Sequence, residues 1–185
     1  EVARGEPGEL LVRGSGANPR KGFFSGYYKN AEATAETWEG GWLHTGDVVR
    51  QDQDGFFYFV DRKKNVIRRS GENISALEVE ATLVLNPDIG QVVVTAVPDE
   101  IRGDEVMACI ILKPGIPDSE ETAVAIFEQS MASLVYYKTP GYIAFVDQLP
   151  LTASQKPQRG EIKKLGRELL DQGACYDLRH LKKRR

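Results

Sequence analysis

Apolar residues recur at every second position in some short runs of this chain and at helical spacing in others. Gly8-Glu-Leu-Leu-Val-Arg-Gly14 reads as a strand set between glycines. Asn30 caps a short helix over Ala31–Trp38, and Gly40-Gly41 ends it. Trp42–Val49 predicts a second strand, interrupted at Thr45-Gly46-Asp47, and Phe56-Phe-Tyr-Phe-Val60 a third beyond the turn Asp52–Gly55. This stretch is strand-rich, helix-poor and too small to be comfortable alone.

From Asp61 the character changes. Ser75-Ala-Leu-Glu78 has the form of a capping box and predicts a helix to about Leu85, stopped by Asn86-Pro87. Ile89–Val97 and Val106–Leu112 predict two strands joined by the turn Pro98–Asp104, hence an antiparallel pair. Asp118 is expected to cap a helix running to about Ala132. A short strand at Tyr142–Val146, a loop over Pro150–Arg159 and an amphipathic helix over Gly160–Asp171 complete the pattern. The expected fold class is α+β: a β-rich leader, then a compact domain with a small, mainly antiparallel sheet flanked by helices.

Composition narrows the function classes. A hydrophobic content of 41% in 185 residues supports a real core, and a net charge of −3 gives no reason to expect nucleic-acid binding. The densely basic end, Arg179–Arg185, reads as a solvated, frayed tail. Cys109 lies in an apolar run as a small buried hydrophobe. With Cys175 distant and no signal peptide in the sequence, a reducing cytoplasm is expected. No apolar run is long enough to span a bilayer, and the scattered histidines and cysteines have no zinc-site spacing, so no metal site is expected.

The densest chemistry lies between Asp61 and Glu80. The basic residues Arg62, Lys63, Lys64, Arg68 and Arg69 lead into a polar turn, Ser70-Gly71-Glu72-Asn73. Backbone N–H groups on such a turn, beside cations, suit an anionic ligand. A solvated charged face is the plainer reading of the same run.

Four segments, in order and at matching spacing, resemble one family. They are Gly8–Gly14 with Gly26-Tyr-Tyr-Lys-Asn30, then Trp42-Leu-His-Thr-Gly-Asp47, then Asp61–Glu80, then Leu149-Pro-Leu-Thr-Ala-Ser-Gln-Lys156. The chain resembles the C-terminal end of an AMP-forming acyl-CoA synthetase, of the superfamily that also holds nonribosomal-peptide adenylation domains and firefly luciferase. The family's Ser/Thr/Gly-rich phosphate loop and aromatic-Gly-x-Thr-Glu adenine segment do not occur in these residues. The resemblance therefore implies that residues 1–60 are the β-rich end of a large N-terminal domain, 61–64 a hinge, 65–173 a mobile C-terminal lid domain, and 174–185 a basic tail.

It also implies roles. Asp47 would accept the ribose hydroxyls of the nucleotide, and Arg62 would reach the ribose or phosphate. Lys64 would be the hinge. Gly71, with Ser70, Glu72 and Asn73, would line the tunnel for the pantetheine arm of CoA, and Arg102 would meet a CoA phosphate. Lys156 would bridge the substrate carboxylate and the α-phosphate and stabilise the transition state. The plain readings are a turn aspartate, surface arginines, a turn glycine at positive φ and a loop lysine.

The chain departs from the pattern in three places. Gln155 and Pro157 stand where a glycine and an aliphatic residue are usual, and Asn73 where some members have a phosphate-contacting arginine. The implied activity is ATP-dependent formation of an acyl-AMP and transfer to CoA, with these residues alone inactive. ATP/AMP with Mg2+ (the ion held mainly by other segments), a carboxylic acid and CoA would be the ligands. The acid stays open among fatty, aryl and carnitine-like ones. No nucleic-acid partner or membrane span is implied, and an oligomer through the leader is possible. Two alternatives stand beside it: an adenylation domain loading a carrier-protein pantetheine, and a non-catalytic lid-like interaction domain.

Overall fold

The computed structural model describes residues 2–182. The basic residues 183–185 of the expected tail lie outside the described residues. The chain divides into two compact units, Glu1–Lys64 and Asn65–Arg185.

The first unit holds β1 (Pro7–Val12), α1 (Ala31–Thr37), β2 (Leu43–Gln51) and β3 (Phe57–Arg62), the strands forming an antiparallel sheet in the order β1-β2-β3. Asn30 caps α1, its side chain accepting the Ala33 N–H at 3.0 Å. The interruption expected at Thr45-Gly46-Asp47 is a bulge inside a continuous β2. Glu9 pairs with Val48 but Leu11 with His44, so residues 45–47 stand out of register. Among the described residues of this unit, Trp38 is the one buried hydrophobic side chain, while Phe56, Phe57, Tyr58 and Phe59 are exposed.

The second unit runs β4 (Val66–Arg69), β5 (Glu72–Ser75), α2 (Ala76–Leu83), β6 (Ile89–Asp99), β7 (Gly103–Leu112), α3 (Glu120–Ser133), β8 (Tyr142–Phe145), α4 (Arg159–Asp171) and β9 (Tyr176–Asp177). All six strands form one sheet in the order β5-β4-β7-β8-β9, with β6 also on β7. Only β7 and β8 pair in parallel; every other pairing is antiparallel.

Strand periodicity sets the core. Val106, Ala108 and Ile110 of β7 face one side, with Ala76, Val79 and Leu83 of α2 and Ala123, Ile126 and Phe127 of α3. The intervening Met107 and Cys109 face the other side, with Val93 and Val97 of β6 and Ile162 of α4. The central hairpin is thus covered on both faces, which is why its strands read as nearly unbroken apolar runs. Each fully buried large side chain here, such as Phe127 or Ile126, contributes about 1.5–3 kcal/mol. Burial pushes the Cys109 thiol up to about 12, as befits a packed hydrophobe.

Several details differ from the sequence reading. Strand β6 extends to Asp99 and β7 begins at Gly103, both within the expected turn Pro98–Asp104. The cap of α3 is Ser119, whose hydroxyl accepts the Thr122 N–H; Asp118 instead accepts the Tyr176 hydroxyl at 2.7 Å. The polar turn 70–73 belongs to a β-hairpin, because β5 follows it before α2 begins at the Ser75 cap. Residues 176–182 are not a frayed tail. Tyr176 and Asp177 add a strand to β8, Arg179 bonds Asp99 and Asp177, and the Lys182 side chain is 3% exposed.

Candidate functional site

The β4–β5 hairpin turns on two residues with left-handed backbone, Ser70 at φ 51° and Gly71 at φ 88°. Successive positive φ values fit the right-handed twist of the flanking strands, the usual solution for a two-residue hairpin loop. A Cβ added at Gly71 would meet nothing within 4 Å. The glycine is therefore required by the turn, and it also leaves its backbone open to a ligand. Ser70, Gly71, Glu72 and Asn73 are all exposed.

The hairpin meets the turn between β6 and β7. Ser70 N–H donates to the Arg102 carbonyl at 2.8 Å, and Arg68 N–H donates to the Asp104 carboxylate at 3.2 Å. The two segments expected to serve CoA, 70–73 and the one carrying Arg102, are thus side by side. Arg102 is half-buried, its guanidinium 3.9 Å from Asp99.

Lys156 sits elsewhere on the second unit, in the loop from β8 to α4. The loop closes on itself: Thr152 N–H donates to the Lys156 carbonyl at 2.8 Å, and Lys156 N–H donates to the Thr152 hydroxyl at 3.1 Å. Gln155 adopts φ 60°, the conformation a glycine would take without strain. Leu151 and Pro157 pair across the base. The Lys156 side chain is exposed, and no ion pair holds it among the described residues. Gln155 and Pro157 also border a groove of about 470 Å³ with Leu77, Glu80 and Val84 of α2.

Sequence reasoning missed what anchors this loop. Arg159, the first residue of α4, grips Glu80 of α2 with both terminal nitrogens, at 2.5 and 2.9 Å, and donates to the Val94 carbonyl at 3.1 Å. Glu80 in turn accepts the Val94 N–H at 2.7 Å. Nor did it find the buried group of Arg69, Glu105 and Lys182. One signal was available: Glu105 is an acidic residue at the head of an apolar strand that must be buried on both faces.

In the first unit, strand register places Asp47 opposite Arg62. Arg62 Nε lies 2.7 Å from Asp47 Oδ1; the atom accepts no aligned hydrogen bond, so the contact is an ion pair. The Asp47 N–H donates to the Thr45 hydroxyl, which itself donates to the Leu10 carbonyl at 2.7 Å. Lys63 and His44 both reach Glu9, at 2.8 and 3.2 Å. Burial works to raise the Glu9 carboxyl, but the hydrogen bonds from Lys63 and His44 and the charge of Lys63 prevail and hold it below its usual range. Lys64 is exposed in a single turn of 3-10 helix, Lys63–Asn65, between β3 and β4.

Among the described residues, no group of three or more His, Cys, Asp or Glu could hold a metal ion, and no helix is long and apolar enough to cross a membrane. Residues 78–156 match the model of the AMP-binding enzyme C-terminal domain. The crotonobetaine/carnitine–CoA ligase of Proteus mirabilis is 43% identical over 157 residues, covering 84% of this chain and 29% of the relative. The chain therefore spans about a third or less of the curated relatives it matches. The o-succinylbenzoate CoA synthetase of Bacillus subtilis, solved with the acyl-adenylate OSB-AMP, aligns with TM-score 0.72 and 30% identity over 88% of this chain and 31% of that one. The anthranilate CoA ligase AuaEII, solved with anthranoyl-AMP, aligns with TM-score 0.75 and 32% identity over 92% of this chain and 32% of that one. The chain belongs to the AMP-forming acyl-CoA synthetase family of adenylate-forming enzymes, in which it corresponds to the C-terminal portion.

Proposed function

We propose that the protein carrying this chain is an ATP-dependent, AMP-forming acyl-CoA ligase, and that its second unit serves two half-reactions from two separate loops. The observation that carries this reading is the pair of exposed loops on one small domain. One carries an exposed amine, Lys156, held by no ion pair among the described residues; the other is a hairpin turn open at Gly71.

In the first half-reaction the carboxylate oxygen attacks the α-phosphorus of ATP and pyrophosphate leaves. Two anions must approach within bonding distance, and the Lys156 ammonium offsets their repulsion and the charge that develops on the phosphorane. Asp47 accepts hydrogen bonds from the ribose hydroxyls, while Arg62, already paired with it, orients that carboxylate. In the second half-reaction the CoA thiolate attacks the acyl carbonyl and AMP leaves with the bonding pair. Gly71 lets the pantetheine arm pass against backbone, flanked by Ser70, Glu72 and Asn73, with Arg102 close enough to attract a CoA phosphate. Exchange of the two loops takes place by rotation at Lys64, in the single 3-10 turn that joins β3 to β4. We assign no residue of this chain to the Mg2+ that accompanies ATP. The relatives' names make crotonobetaine and carnitine the first acids to test, and the free cysteines suit a reducing cytoplasm.

The test uses the full-length protein. Lys156→Ala should lower acid-dependent ATP–pyrophosphate exchange by about a hundredfold or more while thioester formation from supplied acyl-AMP stays within a few-fold. Gly71→Leu should do the reverse. Equal loss of both steps in both variants refutes the assignment of one loop to each step.

A further inference from the structure

The hairpin that carries Gly71 is joined to the rest of its sheet by little backbone. Strand β4 pairs with β7 at one position, Arg69 opposite Gly103; beside it stand the Ser70–Arg102 backbone hydrogen bond and the Arg68 N–H bond to the Asp104 carboxylate. Two or three backbone contacts at a strand end fray readily. Ile67 and Ile74, both fully buried, seat the base of the hairpin in the core, and the turn above them is held from Arg69.

Directly beneath it lies a buried charged group. Arg69, the residue before the turn, is 4% exposed, and its Nε donates to both oxygens of Glu105, at 3.0 and 2.9 Å. Glu105 is wholly buried and also accepts the Lys182 ammonium at 2.5 Å. A Cβ at Gly141 would come within 2.6 Å of the Glu105 side chain, so the carboxylate has no room to swing towards β8. Arg179 holds the same segment, donating to Asp99 at 2.8 Å and lying over the Tyr142 ring at 4.7 Å. Asp99 in turn accepts the Arg102 and Ile101 N–H groups of the turn that Ser70 touches.

We infer that Lys182, Arg69 and Glu105 are positioning residues for the thioester-forming turn, and that the C-terminal segment 176–182 is a strap that holds the CoA-facing hairpin in place. The inference rests on the proposed CoA ligase activity and adds to it residues that touch no substrate. Charge arithmetic makes the strap separable from the fold. Removing Lys182 leaves Arg69 and Glu105 as a matched buried pair, whereas removing Glu105 leaves two buried cations uncompensated. Lys182→Met is therefore the informative change, and Glu105→Gln the one expected to unfold the unit.

In the full-length protein, Lys182→Met should slow CoA thioester formation from supplied acyl-AMP by about tenfold, as a turn displaced by a fraction of an ångström does. ATP–pyrophosphate exchange should stay within about twofold, because Lys156 is on another loop. Amide hydrogen exchange of the same variant should show faster exchange at residues 69–73 with α2 and α3 protected as before. Parallel loss of both half-reactions, or unchanged exchange at 69–73, overturns the inference. If the unsubstituted protein catalyses neither half-reaction with crotonobetaine, carnitine or a panel of fatty and aryl acids, the activity reading fails. The amide exchange then still decides whether the strap positions the hairpin.

Discussion

At Gln155 local preference and the fold disagree. Its φ of 60° places an L side chain in the left-handed region, immediately before the lysine proposed to do the chemistry. That conformation costs about 1–2 kcal/mol for a residue with a Cβ. Glycine would relieve the strain but lose about 0.5–1 kcal/mol more backbone entropy on folding. The difference favours glycine, so Gln155→Gly should raise stability by about 0.5–1 kcal/mol in a urea titration. It should also raise the ATP–pyrophosphate exchange rate if strain misaligns Lys156; a stability loss would show that Gln155 contributes contacts in the groove beside α2 that outweigh its strain. The sequence already marked this position, because a residue with a Cβ stood where a glycine is usual. It could not say whether the chain would change conformation or bear the strain, since that depends on the two hydrogen bonds between Thr152 and Lys156.

Helices and strands were readable to different degrees, for physical reasons. The nearly unbroken apolar runs of the central β6–β7 hairpin and the amphipathic α4 were both legible: β6 and α4 fall within two residues of expectation, and β7 begins three residues earlier, at Gly103. The hairpin β4–β5 was hidden because its residues are mostly charged and polar and its strands are four residues each, stabilised by pairing rather than by an apolar stripe. The tail misled for a related reason. A basic run is usually solvated, and only the distant carboxylates Asp99 and Glu105 make this one an anchored element. The junction of α2 and α4 depends on a similar long-range pair, and Arg159→Met should cost about 1–3 kcal/mol by leaving Glu80 without its bidentate partner. Arg159→Lys should recover less than half, because an ammonium cannot hold both Glu80 oxygens and the Val94 carbonyl. Chemical denaturation of the two variants checks this, and equal stability of Lys and Arg forms would refute it.

The anchored tail also predicts acid sensitivity. Asp177 is held below the usual carboxylate range, chiefly by the Arg179 hydrogen bond. At Asp99 burial works the other way, but hydrogen bonds from the Arg102 N–H, the Arg179 side chain and the Ile101 N–H prevail and hold it low as well. A carboxyl depressed by folding stabilises the native state fully above its unfolded value, near 4, and loses that contribution as pH falls through the folded one. Stability from this cluster should therefore be level from pH 7 to about 5 and decline below about 4. Arg179→Met should lower the plateau and flatten the decline, as read from urea midpoints across that range; an unchanged slope would mean that other carboxylates govern acid unfolding.

Taken together, the two units differ in how much of their stability is their own. The unit Asn65–Arg185 closes a core on both faces of its sheet, with α2 and α3 on one side and α4 on the other. The unit Glu1–Lys64 buries a single large hydrophobic side chain, Trp38, among its described residues and leaves four consecutive aromatics of β3 and its approach exposed. A three-stranded sheet with one buried anchor cannot offset an ordering entropy of about 1–2 kcal/mol per residue. The relatives, which are roughly three times as long as the aligned stretch, have further chain with which such a surface can pack. Residues 65–185 expressed alone should therefore give a dispersed amide spectrum and a cooperative thermal transition, while residues 1–64 alone should show neither. A cooperative transition in the shorter piece would mean that its exposed aromatics pack in a way the described structure lacks. Failure of the longer piece to fold would mean that its double-faced core is insufficient without the segment before Asn65, and would require the two half-reactions to be reconsidered as properties of a single, indivisible body.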